Sequence, residues 1–100
     1  MIFVAGTISV DPAQAEAFEQ AVKAMVGGVR KEDGCLHYSL LFEDRAAGLV
    51  NVVEMWRDET ALKVHLKLPV IVNFFNRFSP HIRAMTVQVY DALNPRPVPM

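Results

Sequence analysis

Glu54, Trp56 and His65 stand close together in the chain and are of types that could do chemistry together. Glu54 and Trp56 fall in Leu49–Arg57, a run rich in β-branched residues, where alternate side chains share a face with Val50 and Val52. At Asp58 the period changes. Asp58 is a good N-cap, Glu59 sits in the first turn, and Leu62, His65 and Leu66 recur at helical spacing. A carboxyl group and an indole N–H on an apolar strand, followed by an imidazole on a helix, could hold and move a proton beside an apolar ligand. Glu54 is costly in such a strand, so it is either paired with a base such as Arg57 or Arg83 or turned toward a bound group. The competing reading makes Trp56 a core residue, Glu54 half of an ion pair and His65 a surface side chain.

An apolar pocket would have to accompany these groups. Phe74, Phe75 and Phe78, with Trp56 and Tyr38, could wall one, although Phe75 and Phe78 are better accounted for as core. Cys35 has no base near it in sequence beyond His37 and reads as an inert buried thiol. His37, His65 and His81 are too dispersed to suggest a metal site. No phosphate loop, nucleophile elbow, or flavin or nicotinamide fingerprint is present. The residues therefore predict chemistry with neither metal nor cofactor.

The elements that must position these groups follow from the pattern. Ile2–Val10 predicts a first strand, and Asp11-Pro12-Ala13-Gln14 a helix start, with Asp11 as N-cap, Pro12 in the first turn and Gln14 reaching back in a capping box. Phe18, Val22, Met25 and Val29 mark the core stripe of that helix, which Gly27-Gly28 weakens and Glu32-Asp33-Gly34 ends. Cys35–Glu43 predicts a second strand with Leu36, Tyr38, Leu40 and Phe42 on one face. Asp44–Gly48 is hairpin turn material before the third strand. Pro69 ends the helix begun at Asp58 and opens another, stopped by Ser79-Pro80, and Met85–Tyr90 alternates as a last strand.

The order β-α-β-β-α-α-β is the ferredoxin-like plan: an α+β fold with helices on one face of an antiparallel sheet. Residues 1–93 make one domain, and the Pro-rich tail 94–100 is either loose or extended along a partner. Both faces of the first three strands are largely apolar, and 52% of the chain is apolar. A domain this small leaves much surface unburied, so the uncovered sheet face predicts a homodimer packed sheet to sheet.

The net charge is −1, with acids and bases interspersed, which argues against nucleic-acid binding. Apolar runs fall far short of the roughly 20 residues of a membrane span. The N-terminus lacks a basic leader, and the single cysteine forms no internal disulfide, so a cytoplasmic location is expected.

Gly34-Cys35-Leu36-x-Tyr38, Glu54-x-Trp56 and Ala61-Leu62-x-x-His65-Leu66, with the Pro69–Pro80 segment and the terminal strand, resemble the antibiotic biosynthesis monooxygenase domain of the dimeric α+β barrel superfamily. The resemblance covers almost the whole chain. It implies a homodimeric barrel with a pocket between sheet and helices in each subunit. It also implies oxidation of an anthrone- or quinol-like phenol by dioxygen with no metal or flavin. By that resemblance Trp56 would be a pocket wall and hydrogen-bond donor, His65 the proton acceptor and Glu54 its orienter or a structural anchor. Tyr38 would be a further contact; Phe74 and Phe78 are candidate substrate contacts from their residue type and helical spacing. The haem-degrading branch fits poorly: Gly6-Thr7 stands where an Asn is expected, and no His lies near Phe74 and Phe75. Fold does not fix function, so a non-catalytic small-molecule-binding or stress-response homodimer and an isomerase of small aromatic metabolites remain alternatives.

Overall fold

The computed structural model describes residues 1–100. The elements are β1 (Ile2–Val10), α1 (Ala15–Val29), β2 (Cys35–Asp44), β3 (Leu49–Trp56), α2 (Glu59–Lys67), α3 (Pro69–Phe78), β4 (Ile82–Met85) and β5 (Gln88–Asp91), with short 3-10 turns at Pro12–Gln14 and Ser79–His81. The strands form one antiparallel sheet in the order β2-β3-β1-β4, with β5 also paired to β1. All three α-helices contribute buried residues to the core that covers one face of the sheet. This is the α+β, ferredoxin-like arrangement that the sequence predicts. No helix is long and apolar enough to cross a membrane.

Period-2 patterning sets the sheet. Ile2, Val4, Ile8 and Val10 of β1 and Val50, Val52, Glu54 and Trp56 of β3 are buried on the helix side. In register, Glu54 lies between Val4 and Tyr38, and Trp56 between Ile2 and Cys35. Phe18, Val22, Met25 and Val29 of α1 enter the core as their spacing requires. Phe18 sits edge-on to Phe74 and Phe78, with ring centroids 5.3 and 5.2 Å away. Burying each such ring is worth about 1.5–3 kcal/mol.

Three local details depart from the pattern. The first turn after Asp11 is wound as 3-10, with Asp11 Oδ1 accepting from Ala13 N–H at 3.0 Å, and the α-helix starts only at Ala15. Gln14 makes no side-chain cap bond, so the capping box does not form. In β2 the register shifts between Cys35 and His37, which turns Leu36 out to solvent and brings Cys35 opposite Trp56. The last strand is interrupted at Thr86-Val87. There Thr86 turns to Thr7: Thr7 N–H donates to Thr86 Oγ1 at 2.9 Å, and Thr86 N–H donates to the Thr7 carbonyl at 2.9 Å. Gly6, at φ +150°, permits this, because a Cβ there would meet the Thr86 and Val87 backbone at 2.7 Å.

Candidate functional site

Asp58 caps α2 by accepting from Ala61 N–H at 2.8 Å, as the sequence predicts. The helix then lays Leu62, His65 and Leu66 against the sheet. Together with β1, β2, β3, β4, β5 and Phe75 of α3 they enclose a cavity of about 140 Å³. Its lining is apolar apart from Tyr38, Glu54 and His65, which are only 3%, 8% and 1% exposed.

The imidazole of His65 is held from three sides. Its Nδ1 lies 2.9 Å from Glu32 Oε1 and 3.2 Å from Oε2. Its ring lies 4.6 Å from that of Trp56 and 5.3 Å from that of Tyr38. A carboxylate can only accept, so Nδ1 carries the proton and Nε2 is left as the acceptor in the neutral ring. Nε2 has no protein hydrogen bond; neither have the Tyr38 hydroxyl and Glu54 Oε2. No fully enclosed side-chain polar atom lacks a partner, so these three atoms reach open space, and the cavity is the space that their residues share.

Burial acts on both other groups. It pushes the Glu54 carboxyl above the usual Glu range, and Glu32's charge adds to this; the Trp56 hydrogen bond and the His65 charge pull the other way. Burial likewise raises the Tyr38 phenol far above its usual range, with the Glu54 and Glu32 charges adding to it. Tyr38 is therefore a neutral hydroxyl at any working pH. The shift favours the protonated form of Glu54 more than in an exposed glutamate, and that form could donate into the cavity.

Glu32 reaches His65 because the turn that carries it is clamped to the start of α2. Arg57 donates to both oxygens of Asp33, at 3.0 and 3.2 Å, and to Asp58 at 3.1 Å, while its N–H donates to the Gly34 carbonyl at 2.8 Å. Gly34 has φ +82°, and a Cβ there would sit 2.6 Å from that of Ala61. The turn approaches α2 this closely only because position 34 lacks a side chain.

A sequence model of the antibiotic biosynthesis monooxygenase family matches residues 1–77. The chain belongs to this family. A Caulobacter crescentus protein named as a candidate antibiotic biosynthesis monooxygenase is 28% identical, with TM-score 0.83 over 93% of this chain and 90% of that one. Pseudomonas aeruginosa PA3566 is also 28% identical, with TM-score 0.80 over 93% and 94% of the two chains. A Deinococcus radiodurans structure at 23% identity shares the fold, with TM-score 0.86 over 98% of each chain. An uncharacterised Synechocystis protein is 30% identical over 88% of this chain, which spans only 59% of that relative's length.

In this monooxygenase-family protein the structure brings together His65, Glu54 and Tyr38 but rearranges the residues around them. Glu54 does not touch Arg57 or Arg83; Arg83 pairs instead with Asp11. Nor does it hold His65, whose orienting partner is Glu32. Glu54 accepts from Trp56 Nε1 at 3.0 Å. Trp56 is fully buried behind His65, outside the cavity lining, and its N–H is committed to Glu54. It supports the site rather than walling it. Phe74 and Phe78 also lie outside the lining, since their shared helix face meets Phe18 of α1; Phe75, about 100° further round α3, faces the cavity.

The sequence does not single out Glu32, and it reads Phe75 as core rather than as a cavity wall. Glu32 reads as turn acid before Asp33-Gly34, and nothing local signals a contact 33 positions away. Cys35 lies outside the cavity, and burial raises its thiol pKa, as befits an unreactive side chain. No three His, Cys, Asp or Glu side chains gather where they could hold a metal ion. A wider groove of about 380 Å³ runs between α1 and the edge strand β2, but neither His65, Glu54 nor Tyr38 lines it.

Proposed function

We propose that the protein is a cofactor-independent monooxygenase that oxidises a quinol- or anthrone-like phenolic small molecule with dioxygen in the His65 cavity. The observation that carries this reading is the unpartnered Nε2 of a buried histidine whose other nitrogen is fixed by a carboxylate. The family membership supports a monooxygenase-like activity. The substrate hydroxyl gives its proton to Nε2, and Glu32 steadies the imidazolium that results. The electron-rich phenolate then reduces dioxygen, and a ring carbon–oxygen bond forms to give a hydroperoxide. Loss of the proton on that carbon breaks the O–O bond. One oxygen stays as the new carbonyl; the other takes a proton and leaves as water. The substrate supplies all four electrons. Tyr38, and Glu54 in its protonated form, donate hydrogen bonds to the oxygen atoms on which charge develops.

The same reading includes a homodimer. On the sheet face away from the helices, the registers align Phe3 with Met55 and Tyr90, and Ala5 with Val53 and Gln88. Leu41, Val53 and Tyr90 of this face are exposed. A second copy of the same sheet would cover them, which supports self-association.

Oxygen uptake by metal-stripped protein with a panel of phenols, quinols and anthrones tests the activity. Uptake that resists chelators and falls at least tenfold in His65→Ala (about 1.4 kcal/mol of barrier) is the expected result. Uptake no faster than autoxidation in both proteins would leave a binding protein. Product formation without oxygen consumption would indicate an isomerase.

A further inference from the structure

We propose that the His65 cavity is a single-ring pocket whose ligand is a monocyclic phenol carrying an apolar substituent, with the hydroxyl inward and the substituent leaving through the mouth. This rests on the phenol-oxidising reading above and narrows its substrate class. The cavity volume is about 140 Å³. An apolar cavity of about 150 Å³ takes up one benzene. Fused two- and three-ring frames exceed that space, and the inner walls are held in place. Val4, Val52 and Leu40 stand on paired strands, and Leu62 is packed into the main core.

Polarity sets the orientation. Val4, Ile8, Leu40, Val52, Leu62 and Phe75 offer only carbon, so a ring hydroxyl finds partners solely at Tyr38, Glu54 and His65. All three of those side chains are more than nine-tenths buried, and each has a polar atom that makes no protein hydrogen bond. A hydroxyl placed anywhere else in the interior would lose its hydration with no replacement. On the solvent side, Leu66, Met85 and Val89 border the cavity while being 49%, 55% and 53% exposed. They form an apolar rim that a substituent on the ring would cover as it leaves.

The test is an anaerobic binding series read by calorimetry and by the fluorescence of Trp56, the chain's one tryptophan. Its indole lies 4.6 Å from the His65 ring. The probes are phenol, 4-propylphenol, 1-naphthol and anthrone. Expected is at least tenfold tighter binding of 4-propylphenol than of either phenol or anthrone. Phe75→Ala, which enlarges the cavity, should narrow the gap to anthrone; the rim variant Val89→Ser should erase most of the propyl advantage, read as the ratio of 4-propylphenol to phenol affinity. Anthrone or 1-naphthol binding as tightly as 4-propylphenol would overturn the proposal, as would a propyl advantage unaffected by Val89→Ser. Tight single-ring binding without oxygen uptake would instead overturn the oxygenase reading and leave the single-ring pocket standing. Uptake confined to anthrones would do the reverse, and absence of binding by every phenol would overturn both.

Discussion

His65 Nδ1 and Glu32 Oε1 lie 2.9 Å apart although 33 residues separate them in the chain. The pair joins the last turn of α2 to the turn after α1, and it fixes which imidazole nitrogen faces the cavity. Glu32 does not line the cavity, so its proposed part in catalysis is to position His65.

Glu32→Gln should therefore lower kcat at least tenfold, about 1.4 kcal/mol of barrier, with little change in KM. A glutamine can present either an acceptor or a donor to Nδ1, so it no longer dictates the tautomer. Nitrogen NMR of His65 should show one tautomer, protonated at Nδ1, in the native protein and a mixture in the variant. A kcat loss without that spectral change would mean a merely structural contact.

Glu54 predicts a specific pH dependence of stability. Burial raises its folded-state pKa above the ordinary Glu value of 4.5. Below that value both folded and unfolded chains are protonated there, and the contribution of Glu54 is present in full. As pH rises, the unfolded chain releases the proton first, so the folded state binds more protons and stability falls until the raised pKa is passed. Gln cannot titrate and can still accept from Trp56. Glu54→Gln should gain on the native protein in melting temperature as pH rises above 4.5, while the two converge below it. Parallel curves across that range would show that Glu54 is not perturbed.

Two glycines should respond in opposite directions. Gly28 lies on the exposed face of α1 with nothing within 4 Å of an added Cβ. Gly28→Ala should stabilise the fold by about 0.5–1 kcal/mol, which for a domain of this size raises the melting temperature by about 2–8 °C. At Gly34 a Cβ meets that of Ala61 at 2.6 Å, and the backbone is at φ +82°. Gly34→Ala should cost about 1–3 kcal/mol and loosen the Glu32–His65 pair, seen as loss of the single His65 tautomer.

The bare sheet face makes the oligomer prediction concrete. Light scattering on a sizing column should give a dimer for the native chain and a monomer for Val53→Asp, because two like charges would then meet in an apolar contact. Val53 faces away from the helices, so circular dichroism of the variant should keep its native shape. A native chain that runs as a monomer would refute sheet-to-sheet pairing.

Much of the fold was legible in the chain. The alternation of Val50, Val52, Glu54 and Trp56, the capping Asp58, and the shift to helical spacing at Leu62 and His65 are local signals, decided by the backbone geometry of strand and helix. They were sufficient to place the α+β plan and to bring Glu54, Trp56 and His65 forward as candidates. The β2 bulge at Leu36 and the break at Thr86-Val87 were not legible, because each depends on what the neighbouring strand offers. Phe75 rather than Phe74 and Phe78 lines the cavity because the position of α1 decides which face of α3 becomes core. The partners of the site were likewise set in three dimensions. Residue types announced a carboxyl group, an indole and an imidazole, but only packing could give the indole N–H to Glu54 and bring Glu32 to His65. Hydrogen bonds are satisfied by whatever lies within about 3 Å, and that neighbourhood is composed by the tertiary fold.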